Sequence, residues 1–527
     1  MQGTHTVRAM LEQIGPFHSE PLTDFSLPEN VTAFEAALAR VRGQFGKRRP
    51  LLIGGEEIFT EDTFTSTNPA HPDQVVGVFS KAGAAEAVQA IEAADAAFET
   101  WSRTPSTERA AILLRAAALM RERRHDLSAW MVYEVGKPWS EADADTVEAI
   151  DFLEYYARQM LKLELVEVYQ TPGERDALAY IPLGVGAVIP PWNFPAAIPM
   201  GMSSAAIVAG NTIVLKPASD AAAIAWELVQ VLRQAGLPGG VCNYLTGPGA
   251  LAGETLVDHP RTRFIAFTGS REVGLRINER AAWPQPGQIW IKRAILEMGG
   301  KGAVVVDETA DLDAAATGIA ASAFGYQGQK CSAGSRAILV ARIYDALVEK
   351  ILARTRELMV MGDPERHEHT LGPVVSRSQY QKVMEYIEVG KQEGRLVLGG
   401  QAPAHDGYFI EPTVFVDVAP DARLAQEEIF GPVLAVIKAR DWRHAIEIAN
   451  DTEFGLTGAF YSTGPERLAY ARREFHVGNL YLNRKCTGAL VGIHPFGGFN
   501  MSGTDSKAGG PDYLLLFTQA KSIGERI

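Results

Sequence analysis

Cysteine is scarce in this chain, with three in 527 residues: Cys242, Cys331 and Cys486. So odd and sparse a set offers no disulfide framework and none of the spacings of a structural zinc site. It fits a reducing compartment, read here as the cytoplasm, and no metal is expected. Positive charge is also short. Fifty Lys and Arg stand against 63 Asp and Glu, for a net charge of −13 and a pI near 5.4. A phosphate backbone needs a basic footprint, so this balance argues against nucleic acid as a partner. Long apolar runs are missing too. The most apolar tract, 181–199, is broken by Gly and Pro, and the opening Met1-Gln-Gly-Thr-His-Thr-Val-Arg has no apolar core of a secretory signal. Neither a secretory signal nor a membrane partner is expected. Acidic Glu12, Glu20 and Asp24 speak against a transit peptide. Internal repeats and low-complexity segments are absent.

What is present reads as an ordinary globular α/β protein, 46% hydrophobic and 21% charged. The length exceeds one compact core, so two large α/β lobes and a smaller element are expected. Residues 1–30 mix Pro, Gly and polar residues and read as an extended N-terminal arm. A helix comes next, with Phe34, Ala37, Leu38 and Val41 on one face. Another carries Val88, Ile91, Ala94, Phe98 and Trp101, and further helices cover 112–120 and 139–158. Around Thr171-Pro-Gly173-Glu, residues 163–180 read as a β-hairpin, with the chain end near 514–520 as a strand that could pair with it. Isolated hairpins are marginal in water, so 163–181 and 504–527 are read as an oligomerisation arm of a homodimer or higher homo-oligomer. Strands and helices then alternate over 211–267 and again from Ala303, which predicts doubly wound parallel sheets. The lobe boundary is placed at 297: residues 31–162 with 182–296 form a cofactor-binding domain, and 297–503 a catalytic one.

Four segments carry chemistry. Gly325-Tyr-Gln-Gly-Gln-Lys-Cys331-Ser-Ala sets a cysteine among small residues. Alone, such a cysteine is more often a small buried hydrophobe. Leu296-Glu297-Met298-Gly-Gly-Lys301 lies a short way upstream, and a thiol with a nearby carboxylate suggests covalent catalysis through sulfur. Phe267-Thr-Gly269-Ser270-Arg-Glu-Val-Gly274 comes after a strand and opens a helix, where free N–H groups and the helix dipole can hold a pyrophosphate; a plain turn is the alternative. Gly249 lies in a similar but looser loop. Ile189-Pro190-Pro191-Trp192-Asn193-Phe194-Pro195 is a rigid loop whose Asn193 amide can serve a developing oxyanion, or merely pack. Lys216, at a strand end, can reach a ribose or phosphate or simply be solvated.

Together with Glu428-Ile-Phe430-Gly-Pro432 and Pro495-Phe496-Gly-Gly498, these motifs resemble the NAD(P)-dependent aldehyde dehydrogenase family over roughly residues 30 to 520. Gly328-Gln-Lys-Cys331-Ser332-Ala and Thr487-Gly488-Ala489-Leu-Val-Gly492 are similar to the members acting on 1-pyrroline-5-carboxylate, whose open form is L-glutamate γ-semialdehyde. The resemblance implies the family fold, with Cys331 as nucleophile, Asn193 as oxyanion donor and Glu297 as the base that releases the acid. It implies a cofactor site of Ile189, Pro190, Pro191, Trp192, Lys216, Ser219, Gly249, Gly269, Ser270, Gly274, Met298, Glu428 and Phe430. For the substrate it implies Glu148 toward the ammonium, Ser332, Gly488 and Ala489 toward the carboxylate, and Phe194 and Phe496 around the stem. Ser219, with Asp220 beside it, stands where NAD-preferring relatives usually carry Glu. NAD is therefore expected, with NADP also accepted. Another semialdehyde such as succinic, or a cysteine hydrolase without cofactor, are the rival readings. No histidine is placed near Cys331 as a hydrolase needs.

Overall fold

The computed structural model describes residues 2–403 and 406–527; Met1, the first residue of the expected arm, lies outside them. Two seven-stranded sheets organise the chain. The first runs in the order Arg293–Glu297, Thr262–Thr268, Val185–Ile189, Thr212–Leu215, Cys242–Tyr244, Leu51–Ile53, Glu56–Ile58. Its first five strands are parallel, and the last two add antiparallel. The second runs Arg395–Leu398, Thr413–Val416, Val433–Ala439, Arg336–Val340, Ala303–Val306, Thr457–Tyr461, Asn479–Leu482, parallel except for its first pair. Strands covered on both faces are mostly apolar: Ala303–Val306 and Arg336–Val340 are buried at every residue, and the one charged member, Arg336, donates its guanidinium N–H groups to the Lys301, Ile448 and Ala449 carbonyls.

The first sheet fixes where a ligand can sit. From Val185–Ile189 the chain winds outward one way through Thr212–Leu215 and Cys242–Tyr244, then returns on the other side as Thr262–Thr268 and Arg293–Glu297. The strand order reverses between Val185–Ile189 and Thr262–Thr268, and a crevice opens at the carboxyl ends of such a pair. Glu297 closes this sheet and Ala303 opens the second. The chain thus passes from the first sheet to the second between 297 and 303.

Three expectations need correction. Residues 1–30 are not wholly extended, because Gln2–Ile14 is a helix. Val7 is buried, and Met10, Leu11 and Ile14 pack against the main core, a helical spacing that the polar neighbours hide. The stretch after this helix is extended and strapped down: Glu20 N–H donates to Asp151 (2.8 Å) and Thr23 N–H to Asp143 (2.8 Å). The expected hairpin over 163–180 does not form. Only Glu174–Pro182 is a strand, and its antiparallel partner is Thr518–Arg526. Upstream, side chains satisfy the backbone and leave no ladder: Thr171 N–H donates to the Asp176 carboxylate (2.7 Å), and the Gln170 amide to the Val168 and Asp176 carbonyls. The chain end also starts later than read. Tyr513–Phe517 is a 3₁₀ turn that buries Tyr513, Leu514 and Phe517, and the strand begins at Thr518.

One buried side chain ties this closure to the first sheet. Asn211 Oδ1 accepts from Leu183 N–H (2.7 Å) and Gly184 N–H (3.0 Å), while its Nδ2 donates to Ala206 O (3.0 Å) and Phe517 O (2.9 Å). Asn211→Ala strands the Leu183 and Gly184 donors and the Phe517 acceptor away from water, while Ala206 O keeps the Asn211 backbone N–H, so it should destabilise the protein by about 2–4 kcal/mol, read as an earlier urea midpoint. An unchanged midpoint would contradict this account.

Candidate active site

Cys331 comes after a turn that the chain makes against its own preference. The helix Leu312–Phe324 ends, and Tyr326, Gln327 and Gly328 adopt φ of 51°, 55° and 67° in succession. For two residues with side chains this costs about 1–2 kcal/mol each. Packing over-determines the turn. Tyr326 Oη donates to Val135 O (3.0 Å), and Gln327 Nε2 to Gly136 O (3.0 Å) and Pro373 O (2.8 Å). Gln329 Oε1 accepts from Val375 N–H (2.9 Å), and Lys330 pairs with Glu141 (2.7 Å). A Cβ on Gly328 would collide with Gly431 O, so glycine is required there.

Asn193 reaches the same turn from the first sheet, on the loop after Val185–Ile189. It is buried, and its Nδ2 donates to Gln329 O at 3.1 Å. An amide has two N–H donors, so one fixes the group and the other is left for a ligand. Glu297 arrives at the end of its strand, zipped to a late segment: Met298 N–H donates to Ser502 O (2.7 Å), and Thr504 N–H to Leu296 O (2.9 Å). Its Oε2 accepts from Ser506 Oγ (3.1 Å), while buried Oε1 has no partner among the described residues.

Two chambers meet at Cys331. The first is lined by Pro191, Trp192, Asn193, Gly269, Ser270, Met298, Glu428 and Phe430 of the expected residues, and by Thr268, Gln379 and Lys382, which sequence reasoning missed. The second is lined by Glu297, Glu148 and Phe496, and by missed residues that include Phe152, Met202, Ser506 and Tyr513. Gln379 gives no sequence signal. It works by donating to the Ile429 and Phe430 carbonyls (3.1 and 2.8 Å), which holds Phe430 at φ 61° with its ring 5.5 Å from Trp192.

The remaining expected residues stand apart from these linings. Ile189 and Pro190 lead into the Asn193 loop. Gly274 lies in the helix Arg271–Ala282, which Ser270 caps by accepting from Val273 N–H, and it leaves room for the Met298 sulfur. Lys216 ends its strand buried, which pushes its ammonium down to about 8. Ser219 and Gly249 are exposed, beyond the carboxyl ends of neighbouring strands. Phe194 is not in the second chamber's lining; its ring faces the Lys137 ammonium at 4.0 Å. Ser332 is buried, its carbonyl accepting from Thr457 Oγ1 (3.0 Å) and Cys486 Sγ (3.3 Å). Gly488 and Ala489 also lie outside the lining, and Arg484 donates to the carbonyls of Thr487 (2.9 Å) and Gly488 (3.0 Å).

Burial dominates the electrostatics. It pushes the Cys331 thiol well up, helped by the negative charges of Glu297 and Glu428. Glu297 is pushed up to about 8 by burial, against the pull of Ser506 and Lys507. Glu428, which accepts from Gly300 N–H (2.8 Å), is raised by burial. Glu148 is raised to about 8, by burial first and then by Asp145. The site holds a thiol and a carboxyl that burial sets against ionisation, with one Asn193 N–H left for a ligand. Such a set can add sulfur to an electrophile and then hydrolyse the adduct.

Residues 59–523 match the sequence profile of the aldehyde dehydrogenase family. The chain belongs to the aldehyde dehydrogenase family. It is 59% identical over 513 residues to the 1-pyrroline-5-carboxylate dehydrogenase of Geobacillus thermodenitrificans, covering 97% of this chain and 99% of that protein. An arginine-to-alanine variant of Thermus thermophilus 1-pyrroline-5-carboxylate dehydrogenase superposes with a TM-score of 0.96 at 54% identity, covering 97% of this chain and 99% of the other. A crystal structure of the Thermus enzyme with bound NAD matches equally well, at a TM-score of 0.96 and 54% identity. The fold is that of the aldehyde dehydrogenases.

Because the Glu297 charge opposes the thiolate, Glu297→Gln should be alkylated by iodoacetamide several-fold faster than wild type at pH 9, where Glu297 is ionised. The two rates should converge at pH 6, where it is protonated. A constant ratio across that range would contradict the coupling.

Proposed function

We propose that this protein oxidises L-glutamate γ-semialdehyde, from 1-pyrroline-5-carboxylate, to L-glutamate, with NAD as the oxidant. The observation that carries the reading is the meeting of two chambers at one sulfur, with the hydrolytic carboxyl only in the second. The first chamber fits a dinucleotide. Gly269 and Ser270 open a helix N-terminus, where free N–H groups favour a pyrophosphate. Glu428 has one oxygen on Gly300 N–H and the other free to accept from ribose hydroxyls. Lys216 brings a cation with a lowered pKa to the strand edge. When bound, NAD supplies the hydride acceptor.

The chain's own residues do the rest. Cys331 loses its proton and attacks the aldehyde carbon, giving a thiohemiacetal. The spare Asn193 N–H stabilises the oxyanion. At the acyl level the group remains on Cys331 as a thioester. Glu297 then takes a proton from water, which attacks the thioester and frees the carboxylate. With its pKa near 8, the base form of Glu297 grows as pH rises through that value, so hydrolysis speeds up over the same range.

In the second chamber, Phe152, Phe496 and Met202 surround an aliphatic stem, and Glu148 is the group for an ammonium. An ammonium beside Glu148 favours its ionised form and offsets the burial that now opposes it. A cysteine hydrolase has less support, since no histidine lines either chamber. The same reading places the enzyme in the cytoplasm as a homo-oligomer, with the exposed strand Thr518–Arg526 as a pairing edge. No described helix is long and apolar enough to cross a membrane.

Absorbance at 340 nm with 1-pyrroline-5-carboxylate and NAD tests the assignment. The expected result is turnover at least about 100-fold better in kcat/KM than with succinic semialdehyde (~2.7 kcal/mol), lost on Cys331→Ala. Equal turnover of both aldehydes would sink the substrate assignment and leave the family untouched. NADP should also be used, since no carboxylate side chain occupies position 219. An NAD preference above about a thousandfold (~4 kcal/mol) would contradict that.

A further inference from the structure

Lys137 is 0% exposed, yet it lies outside both chambers. Its ammonium pairs with Asp145, itself 0% exposed, at 2.8 Å. A fully buried ion pair is weak support for stability, because desolvating both charges offsets most of their attraction. What surrounds this pair suggests another use. The Lys137 ammonium sits 4.0 Å from the centre of the Phe194 ring and 4.6 Å from that of Tyr326. Phe194 is next to Asn193 on the loop from the first sheet. Tyr326 begins the left-handed turn that leads to Cys331 on the side of the second sheet.

The other contacts of the pair point the same way. Asp145 Oδ1 accepts from Ala197 N–H at 2.7 Å, which anchors the start of the helix Ala197–Val208 just beyond the Asn193 loop. On the other side, the residues preceding Lys137 hold the nucleophile turn: Val135 O accepts from Tyr326 Oη, and Gly136 O from Gln327 Nε2. The two loops also touch directly, through the 3.1 Å bond from Asn193 Nδ2 to Gln329 O.

We propose that Lys137, held by Asp145, is a positioning residue that clamps the Phe194 and Tyr326 rings from opposite loops and so sets the Asn193 amide against Cys331. The attraction of a cation for a ring face is electrostatic and strengthens when both are dry, so a buried ammonium between two rings resists their separation. A single cation thereby fixes the distance between two groups that belong to different sheets. The inference rests on the proposed role of Asn193 as oxyanion donor. It does not depend on which aldehyde is the natural substrate.

Removing Lys137 alone leaves a buried carboxylate without a partner and invites unfolding. The variant to make is Lys137→Met with Asp145→Asn, assayed with NAD and propanal, an aldehyde lacking the amino-acid end. A misplacement of about 1 Å at a reacting centre costs on the order of 100-fold, so kcat should fall about 10–100-fold, with KM for propanal changed less than about threefold. In an Asn193→Ala background, the same double change should cost less than about threefold, because the donor it positions is gone. If the losses multiply instead, or kcat and KM worsen together, the pair is a general structural element and the proposal is wrong. An unchanged kcat overturns it as well. Should Asn193→Ala by itself leave kcat intact, the oxyanion role falls first and this inference with it. If the double variant does not fold, Tyr326→Leu replaces it: kcat should drop at least about tenfold in the wild-type background and less than about threefold in the Asn193→Ala background. Equal losses in the two would overturn the clamp.

Discussion

A thiol and a carboxyl share one dry seam between two sheets, and neither ionises easily there. Cys331 is raised by burial and by the charges of Glu297 and Glu428, while Glu297 is raised by burial against modest help from Ser506 and Lys507. Each negative charge placed there makes a second harder to add. That suits the proposed two-stage reaction, in which sulfur carries the charge when it attacks and the carboxyl ionises once the sulfur is acylated and neutral.

The scaffold is arranged to keep that seam narrow. The first sheet delivers Asn193 and Glu297 from the carboxyl ends of Val185–Ile189 and Arg293–Glu297, and the second delivers Cys331 just before Arg336–Val340 begins. Each arrival is locked by backbone bonding. The left-handed run at Tyr326–Gly328 is tied to Val135, Gly136 and Pro373, and Glu297 is zipped to 502–504. Strain in a turn of this kind persists only where its surroundings leave the chain no alternative. It is spent here on aiming one sulfur.

Much of this is legible in the sequence wherever the local pattern has one cause. Ala303–Val306 is an apolar run with three β-branched valines because both its faces are covered, and Gly236 (φ 92°) ends the helix Ala222–Gln234 as its position implies. Cys331, Glu297 and Asn193 stand out because rigid, small-residue settings are uncommon around reactive groups. Other parts have two causes at once. Arg124–Val135 gives no helical signal because nearly every residue from Leu127 on is buried, which erases the amphipathic period. Gln379 and Tyr513 reach the chambers through packing between distant segments, which no local pattern encodes. Resemblance alone assigns Phe194 to the substrate stem, and no local pattern shows that its ring faces Lys137, a residue 57 positions earlier in the chain (194 − 137).

The zipping of Leu296–Met298 to residues 502–504 bears on how the protein is made. On a ribosome the chain emerges amino end first, at about 5–20 residues per second. Glu297 then waits for some 200 further residues before its backbone partners exist, and Glu174–Pro182 waits longer still for Thr518–Arg526. Until then the first sheet has an open flank, and its apolar edge is exposed to other nascent chains. Contacts of such high sequence separation are slow to form and leave intermediates prone to aggregation. The seam is thus among the last regions to mature during synthesis, and a truncated product lacking the final few dozen residues would hold Cys331 and Glu297 without the segment to which Leu296–Met298 is zipped.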